Sequence, residues 1–342
     1  MPTTPHDTNQ RSLPLVLITL GPIVLALALC ALCVGAYATS VTDTLKIIYG
    51  AVTGTTGDWS SMAQTVVMMV RIPRVLAALL VGAALAVAGT AYQGIFRNPL
   101  VSPDLLGVSS GACIGAATAI LLKTGPAGVQ GAAFVGGIMA VGLTVSIPRL
   151  IKRESTLALV LAGVIVSGFC ASILGLLKYI ADPESDLPEI VYWQMGSLAK
   201  ADYTTLAYAG PIILLGIVAL LMIRWRINVL SLGDRQAKAL GANLRVERGA
   251  VVVLATLLTA AAVSLAGTIG WIGLVLPHLA RFIVGPNVAR SMPVACIMAA
   301  GFMIVVDTLA RFSGIEIPLS IITGMIGTPF FVILLAKQRG ML

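Results

Sequence analysis

Charge is what this sequence has least of. Asp, Glu, Lys and Arg make up 11% of its 342 residues, against about a quarter in soluble domains. Aromatic residues stand at 6% and histidines at two, His6 and His278. A soluble fold with so few ionisable groups has too little polar surface to cover itself, which excludes that class. The five cysteines, Cys30, Cys33, Cys113, Cys170 and Cys296, all lie inside apolar runs. Cys30 and Cys33 have metal or redox spacing, but no His or acid adjoins them, so they read as small buried apolar residues rather than a disulfide or metal framework. There is no G-x-x-x-x-G-K-[ST] phosphate loop, no nucleophile elbow and no His/Cys/Asp cluster. No catalytic, cofactor-binding or metal-ligating residues are therefore expected, and His278 reads as a structural histidine at a helix break.

What is present is apolar: 58% hydrophobic residues, 35 glycines and a mean hydropathy of +0.99. The chain reads as an all-α integral membrane protein, its small residues allowing helices to approach closely. The net charge of +8 fits basic loops on the cytoplasmic side and calls for no nucleic acid. Ten apolar segments can be drawn, at 13–37, 71–96, 105–122, 128–148, 156–180, 204–223, 249–270, 272–284, 291–312 and 317–336. Most approach the roughly 20 residues that cross a bilayer. The eighth is short and alone would read as re-entrant. Charge decides its status. The loop 224–248 carries Arg224, Arg226, Arg235, Lys238, Arg245 and Arg248, and the tail carries Lys337 and Arg339. Both belong inside, so an even number of crossings separates them and the eighth segment crosses, sheltered by protein. Residues 1–12 are then a cytoplasmic tail, 13–336 a single transmembrane domain and 337–342 a second cytoplasmic tail, with no room for an ATP-binding domain. Ala36-Tyr37-Ala38 has the look of a signal cleavage site, but the run from Leu13 to Val34 exceeds an h-region of about 7–15 residues, so the first span is expected to be retained.

Two breaks punctuate the spans. One is Arg97-Asn98-Pro99-Leu100 followed by Ser102-Pro103-Asp104; the other runs from Gly267 to Pro277-His278 and Arg281. Pro and Asn between membrane-type helices mark deliberate interruptions. Ala88-Gly89-Thr90 recurs 178 residues later as Ala266-Gly267-Thr268, either as an inverted repeat or by coincidence. In the basic loop, Leu232, Gln236, Ala239 and Leu240 share a helical face and Gly241 offers a stop. That face is small and lacks aromatics, which favours a docking helix over one lying on lipid. Arg71 and Arg74 flank Pro73 in a first helical turn, three apart and projecting at the outer surface, with Arg311 ending the ninth span on the same side. They either snorkel to headgroups or receive a partner. Asp307 stands four residues before Arg311, at the spacing of a structural ion pair rather than a proton relay. The stretch with Asp182, Glu184, Asp186, Glu189 and Tyr192-Trp193 is either a solvated outer loop or a short helix flanking an entrance.

The paired breaks and the pattern Leu-Gly-x-x-x-Ala-x-x-Leu-Gly at 232–241 resemble the iron-siderophore, haem and cobalamin permease family of ABC importers (FecCD or BtuC-like) over nearly the whole chain. The resemblance implies a type II importer permease with ten transmembrane helices per subunit, in the bacterial inner membrane with both termini cytoplasmic. It implies a second copy, two ATPase subunits that bind the ATP, a periplasmic or lipid-anchored binding protein, and membrane lipid as partners. It assigns ATPase coupling to Leu232, Gly233, Asp234, Gln236, Ala237, Leu240 and Gly241. It assigns a cytoplasmic gate to Asn98, Leu100, Ser155 and Thr156, and binding-protein docking to Arg71, Arg74 and Arg311. The expected path is lined by small and apolar side chains without a tight midplane site. An iron chelate is the expected cargo, with cobalamin or a molybdate- or tungstate-type oxyanion as the alternative. An ion-coupled secondary transporter would need ionisable residues at the midplane, which are scarce here.

Overall fold

The computed structural model describes residues 12–339, except 36, 56, 153–154 and 313–314. The tail with His6 and Arg11, the loop residues Arg153 and Glu154, and residues 340–342 lie outside the described residues. Helices succeed one another: α1 (Leu13–Cys33), α2 (Val41–Thr53), α3 (Ser61–Thr65), α4 (Ile72–Phe96), α5 (Val108–Leu121), α6 (Gly125–Leu150), α7 (Thr156–Ile180), α8 (Asp186–Met195), α9 (Tyr203–Met222), α10 (Arg224–Ser231), α11 (Asp234–Ala239), α12 (Leu244–Ala266), α13 (Ile272–Val284), α14 (Val288–Ala310) and α15 (Leu319–Arg339). A π-helical turn, Val66–Arg71, joins α3 to α4 without a break. Among the described residues seven helices are long and apolar enough to cross a membrane, counting Ser61–Phe96 as one, and the shorter apolar α5, α13 and α15 bring the apolar helices to ten.

Several boundaries differ from expectation, each for a local reason. The second span starts at Ser61 rather than 71, because the Ser60 hydroxyl accepts the Ala63 amide at 3.0 Å and the apolar run that follows carries the helix on. The first span ends at Cys33 rather than 37. The α12 helix begins at Leu244, since Asn243 accepts the Val246 amide at 3.2 Å and draws the last residues of the basic loop into the first turns. The outer connection after α1, taken as loop, contains α2, capped by Ser40 and stopped by Gly54 at φ 73°.

The α4 helix is the centre of the molecule, buried almost throughout from Pro73 to Phe96 and packed on α14, α12, α13 and α9. Its sequence ALAVAGTA suits that position, because packing between spans rests on close backbone approach rather than on escape from water. A side chain at Gly89 would overlap the Gly273 carbonyl, and one at Gly111 on α5 would overlap the Gly136 carbonyl of α6. By contrast, α1 and α7 expose apolar residues such as Ile18, Leu25, Leu161 and Ile165. The two breaks meet inside: the Pro103 ring, in a 3-10 turn between α4 and α5, fills the space left where Gly273 opens α13. The 178-residue offset does not join equivalent conformations, for Gly89 is interior to α4 while Gly267 ends α12 at φ 71°.

Candidate functional site

At one end of the bundle, Gly233 at φ 107° turns the chain from α10 into α11, and Gly241 at φ 76° ends it. Only glycine enters that region without strain. Ala237 is fully buried and anchors α11 inward, so of the expected coupling residues it packs within its own chain. Leu232 and Leu240 are 50% and 58% exposed, and Gln236 and Ala239 are exposed with them. The single helical face expected from their spacing is corrected: Leu232 caps α10 ahead of the Gly233 turn, and only Gln236 and Ala239 lie within α11, with Leu240 capping it. Asp234, at the head of α11, lies 2.6 Å from Arg248 on α12 and 3.8 Å from Arg97. The hydrogen bond from Arg248 holds the Asp234 carboxyl below the usual carboxylate range.

Arg97, at φ 51°, opens the loop with the expected gate residues. Asn98 shapes that loop: its side-chain oxygen accepts the Leu100 amide at 2.9 Å across Pro99. Leu100 is exposed. Ser155 caps α7 by accepting the Ala158 amide at 3.1 Å, and Thr156 follows it. Ser155 and Thr156 line a cavity of about 810 Å³ with Phe96, Leu159 and residues of the 238–248 segment. Asn98 and Leu100 are outside its lining, so the structure brings together one half of the expected gate with the coupling segment. Sequence reading missed Gln93. This buried amide donates to Val101 O at 3.1 Å and Gly273 O at 3.3 Å, and accepts from Arg281 at 2.6 Å, tying the gate loop to α13. His278, expected to be structural, is buried edge-to-face against Phe282 at 4.8 Å. Among the described residues no cluster of His, Cys, Asp or Glu could hold a metal.

At the opposite end of the bundle, the expectation that Arg71 and Arg74 project from the surface is corrected: they are 2% and 6% exposed. Arg71 donates to Leu32 O at 2.8 Å and also to Tyr37 O and Thr39, closing the end of α1. Arg74 pairs with Asp307 at 2.7 Å and with Glu316 at 3.0 Å. Arg311 donates to Ala31 O at 2.7 Å and lies 3.4 Å from Asp307, so the i,i+4 pair exists while Arg74 is the nearer partner of Asp307. Arg71 and Arg311 thus hold neighbouring carbonyls of α1, and three cations meet two acids in one corner. Glu316 also accepts from Ser197 at 2.7 Å, reaching the loop after α8. The acidic stretch resolves as a turn carrying Asp182 and Glu184 followed by the short helix α8, which carries Asp186, Glu189 and Tyr192-Trp193. The amides of Ser185 and Glu184, each 2.9 Å away, hold the Asp182 carboxyl below its ordinary range. Lys123 bonds Asp186, which raises the Lys123 ammonium above its ordinary pKa.

Among the described residues the scaffold is all-helical, with a short exposed helix beside the loop after α4. The FecCD transport family model matches residues 23–337. The molybdate import permease MolB of Haemophilus influenzae is 38% identical over 96% of this chain and 97% of its own length. A probable iron chelatin permease of Helicobacter pylori is 40% identical over 82% of this chain and 85% of its own. A solved structure described as an inward-facing metal-chelate type ABC transporter superposes with a TM-score of 0.85 at 38% identity, covering 95% of this chain and 99% of that one. The chain belongs to the FecCD transport family. It is a multi-pass permease subunit of an ABC importer, a transport component rather than an enzyme, whose class implies ATPase and substrate-binding partners.

Proposed function

We propose that two copies of this chain enclose the path by which an iron chelate, a siderophore complex or haem, enters the cytoplasm across the bacterial inner membrane, both termini lying inside. Two ATPase subunits hold the ATP and grip the exposed Leu232, Gln236 and Leu240, with Gly233, Asp234, Ala237 and Gly241 shaping that segment. Ser155 and Thr156 close the path with Asn98 and Leu100. A periplasmic or lipid-anchored binding protein docks over the corner of Arg71, Arg74 and Arg311, whose cations outnumber the acids and attract its carboxylates through their field rather than by direct contact. The observation that carries the reading is Asp234, 2.6 Å from Arg248 and 3.8 Å from Arg97. It links the uncovered docking helix to the gate loop, so that movement of one reaches the other. Cobalamin and oxyanion cargo remain the alternative, since relatives named for both exist.

The test is reconstitution in liposomes with the cognate ATPase and binding protein. ATP-dependent accumulation of a ferric chelate, abolished without either partner, is the expected result. Uptake driven by an ion gradient with no ATPase present would overturn the reading.

A further inference from the structure

We propose that the cytoplasmic cavity beneath Ser155 and Thr156 is an anion-receiving vestibule, and that the cargo released through it carries net negative charge. This deepens the importer reading and rests on it. The cavity, about 810 Å³, lies in the range of small-molecule sites, about 300–1,000 Å³. Among the described residues four cations line it, Arg149, Lys238, Arg245 and Arg248, against one acid, Asp234. Asp234 is already matched by Arg248 at 2.6 Å and Arg97 at 3.8 Å. Among the described residues neither Arg149 nor Lys238 has a carboxylate within ion-pair distance.

Basic residues near a cytoplasmic face ordinarily answer to topology. Here they converge on a concave wall, where low-dielectric surroundings focus their field. Asp234, Lys238 and Gly241 of the coupling segment share this wall, while the exposed Leu232 and Leu240 lie outside the lining and leave the cations facing the cavity. Of the gate residues, Ser155 and Thr156 are part of it, so cargo passing that half of the gate meets these cations. Guanidinium forks match oxyanions bidentately, while Lys238 supplies a point charge. An oxyanion, or a ferric chelate of anionic ligands, gains from this field. Cyanocobalamin, without net charge, does not.

The test uses the assembled permease–ATPase complex, its native cysteines replaced, with Leu159→Cys on the vestibule wall. Reaction rates with anionic and cationic methanethiosulfonate reagents are compared with those of a free thiol. The vestibule should favour the anionic reagent by about tenfold at low salt. Arg149→Gln with Lys238→Gln should remove most of that preference. Molybdate should protect the thiol and cyanocobalamin should not. Val145→Cys, also in the lining, serves if the first variant fails to assemble. A preference equal to that of the free thiol, or one unchanged by neutralisation, overturns the vestibule. Protection by cyanocobalamin but not molybdate does the same. Co-purification of the ATPase and its ATP hydrolysis, read in the same preparation, report separately on the importer reading.

Discussion

Arg74 donates from Nε to Asp307 at 2.7 Å and from Nη2 to Glu316 at 3.0 Å, joining α4 to segments 233 and 242 residues away. Asp307 is 1% exposed. Removing one partner of such a pair leaves a buried charge uncompensated, at a cost of about 3–5 kcal/mol, whereas an apolar replacement of both is far milder. Asp307→Ala should therefore lower the unfolding temperature in detergent more than the double change Arg74→Leu, Asp307→Leu. Equal losses would mean that the pair contributes little beyond packing.

Docking at the outer corner can be probed without emptying it. Glu316 is the more exposed acid there, so Glu316→Gln raises the corner's positive charge while leaving Asp307 in place. Association of the binding protein should quicken at low salt and the gain should fade once the screening length falls to about 8 Å. Arg71→Gln should slow association under the same conditions. Stopped-flow rates at two salt concentrations decide it, and rates that ignore both changes remove the corner from the docking site.

The exposed face of the coupling segment predicts a separable defect. Leu240→Asp places a charge where a partner would otherwise bury a leucine, at a cost of several kcal/mol unless it finds a mate. The ATPase should be lost on co-purification, while insertion and thermal stability stay near the parent values because Leu240 is 58% exposed.

Asp234 sets an expectation for pH. Its carboxyl is held below the usual range by Arg248, with Arg97 and Lys238 adding to the effect. A depressed folded value means that the contact is complete above the ordinary carboxylate pKa of about 3.9 and is lost only as pH falls through the lower value. The ratio of cargo accumulated to ATP hydrolysed should thus be flat from about pH 5 to 8 as far as this contact governs it. Asp234→Asn should lower the ratio across that whole range. A parent ratio already falling between pH 7 and 6, matched to the Asn variant at the acid end, would contradict this.

At Gly89 the prediction is steric. Gly89→Val forces a branched side chain against the Gly273 backbone, where overpacking typically costs about 1–3 kcal/mol and more when only backbone can yield. Folded yield and unfolding temperature should drop, while the same change at Gly249, which meets open space, should be far better tolerated.

The ten apolar helices were legible because a crossing must be apolar over its full length. The short helix α11 was legible from its polar and apolar spacing and its Gly241 stop, but the Gly233 turn that separates Leu232 from it was not. What stayed hidden depends on contacts distant in sequence. Nothing near Gln93 announces that it bonds Gly273 and Arg281, and Asp307 seemed matched by Arg311 because only the i,i+4 neighbour is visible along the chain. Arg71 and Arg74 were placed outside by their position at a predicted span start. That start was misjudged by ten residues, and with it their burial. The α2 helix escaped notice because its apolar positions are interleaved with Thr42, Thr44 and Thr53, which read as loop.

The π-helical turn Val66–Arg71 has a further effect on the second span. A single π turn accommodates one residue more than an α-helical turn would, and one residue is worth about 100° of rotation. The membrane-facing side of the outer segment, with Met69 and Val70 exposed, is therefore out of phase with the interior of α4 below it. Deleting one residue within 66–70 would restore an even helical winding and swing the outer segment by roughly a quarter turn. The composition and length of the span would hardly change, yet everything above Ile72 would face a different neighbour.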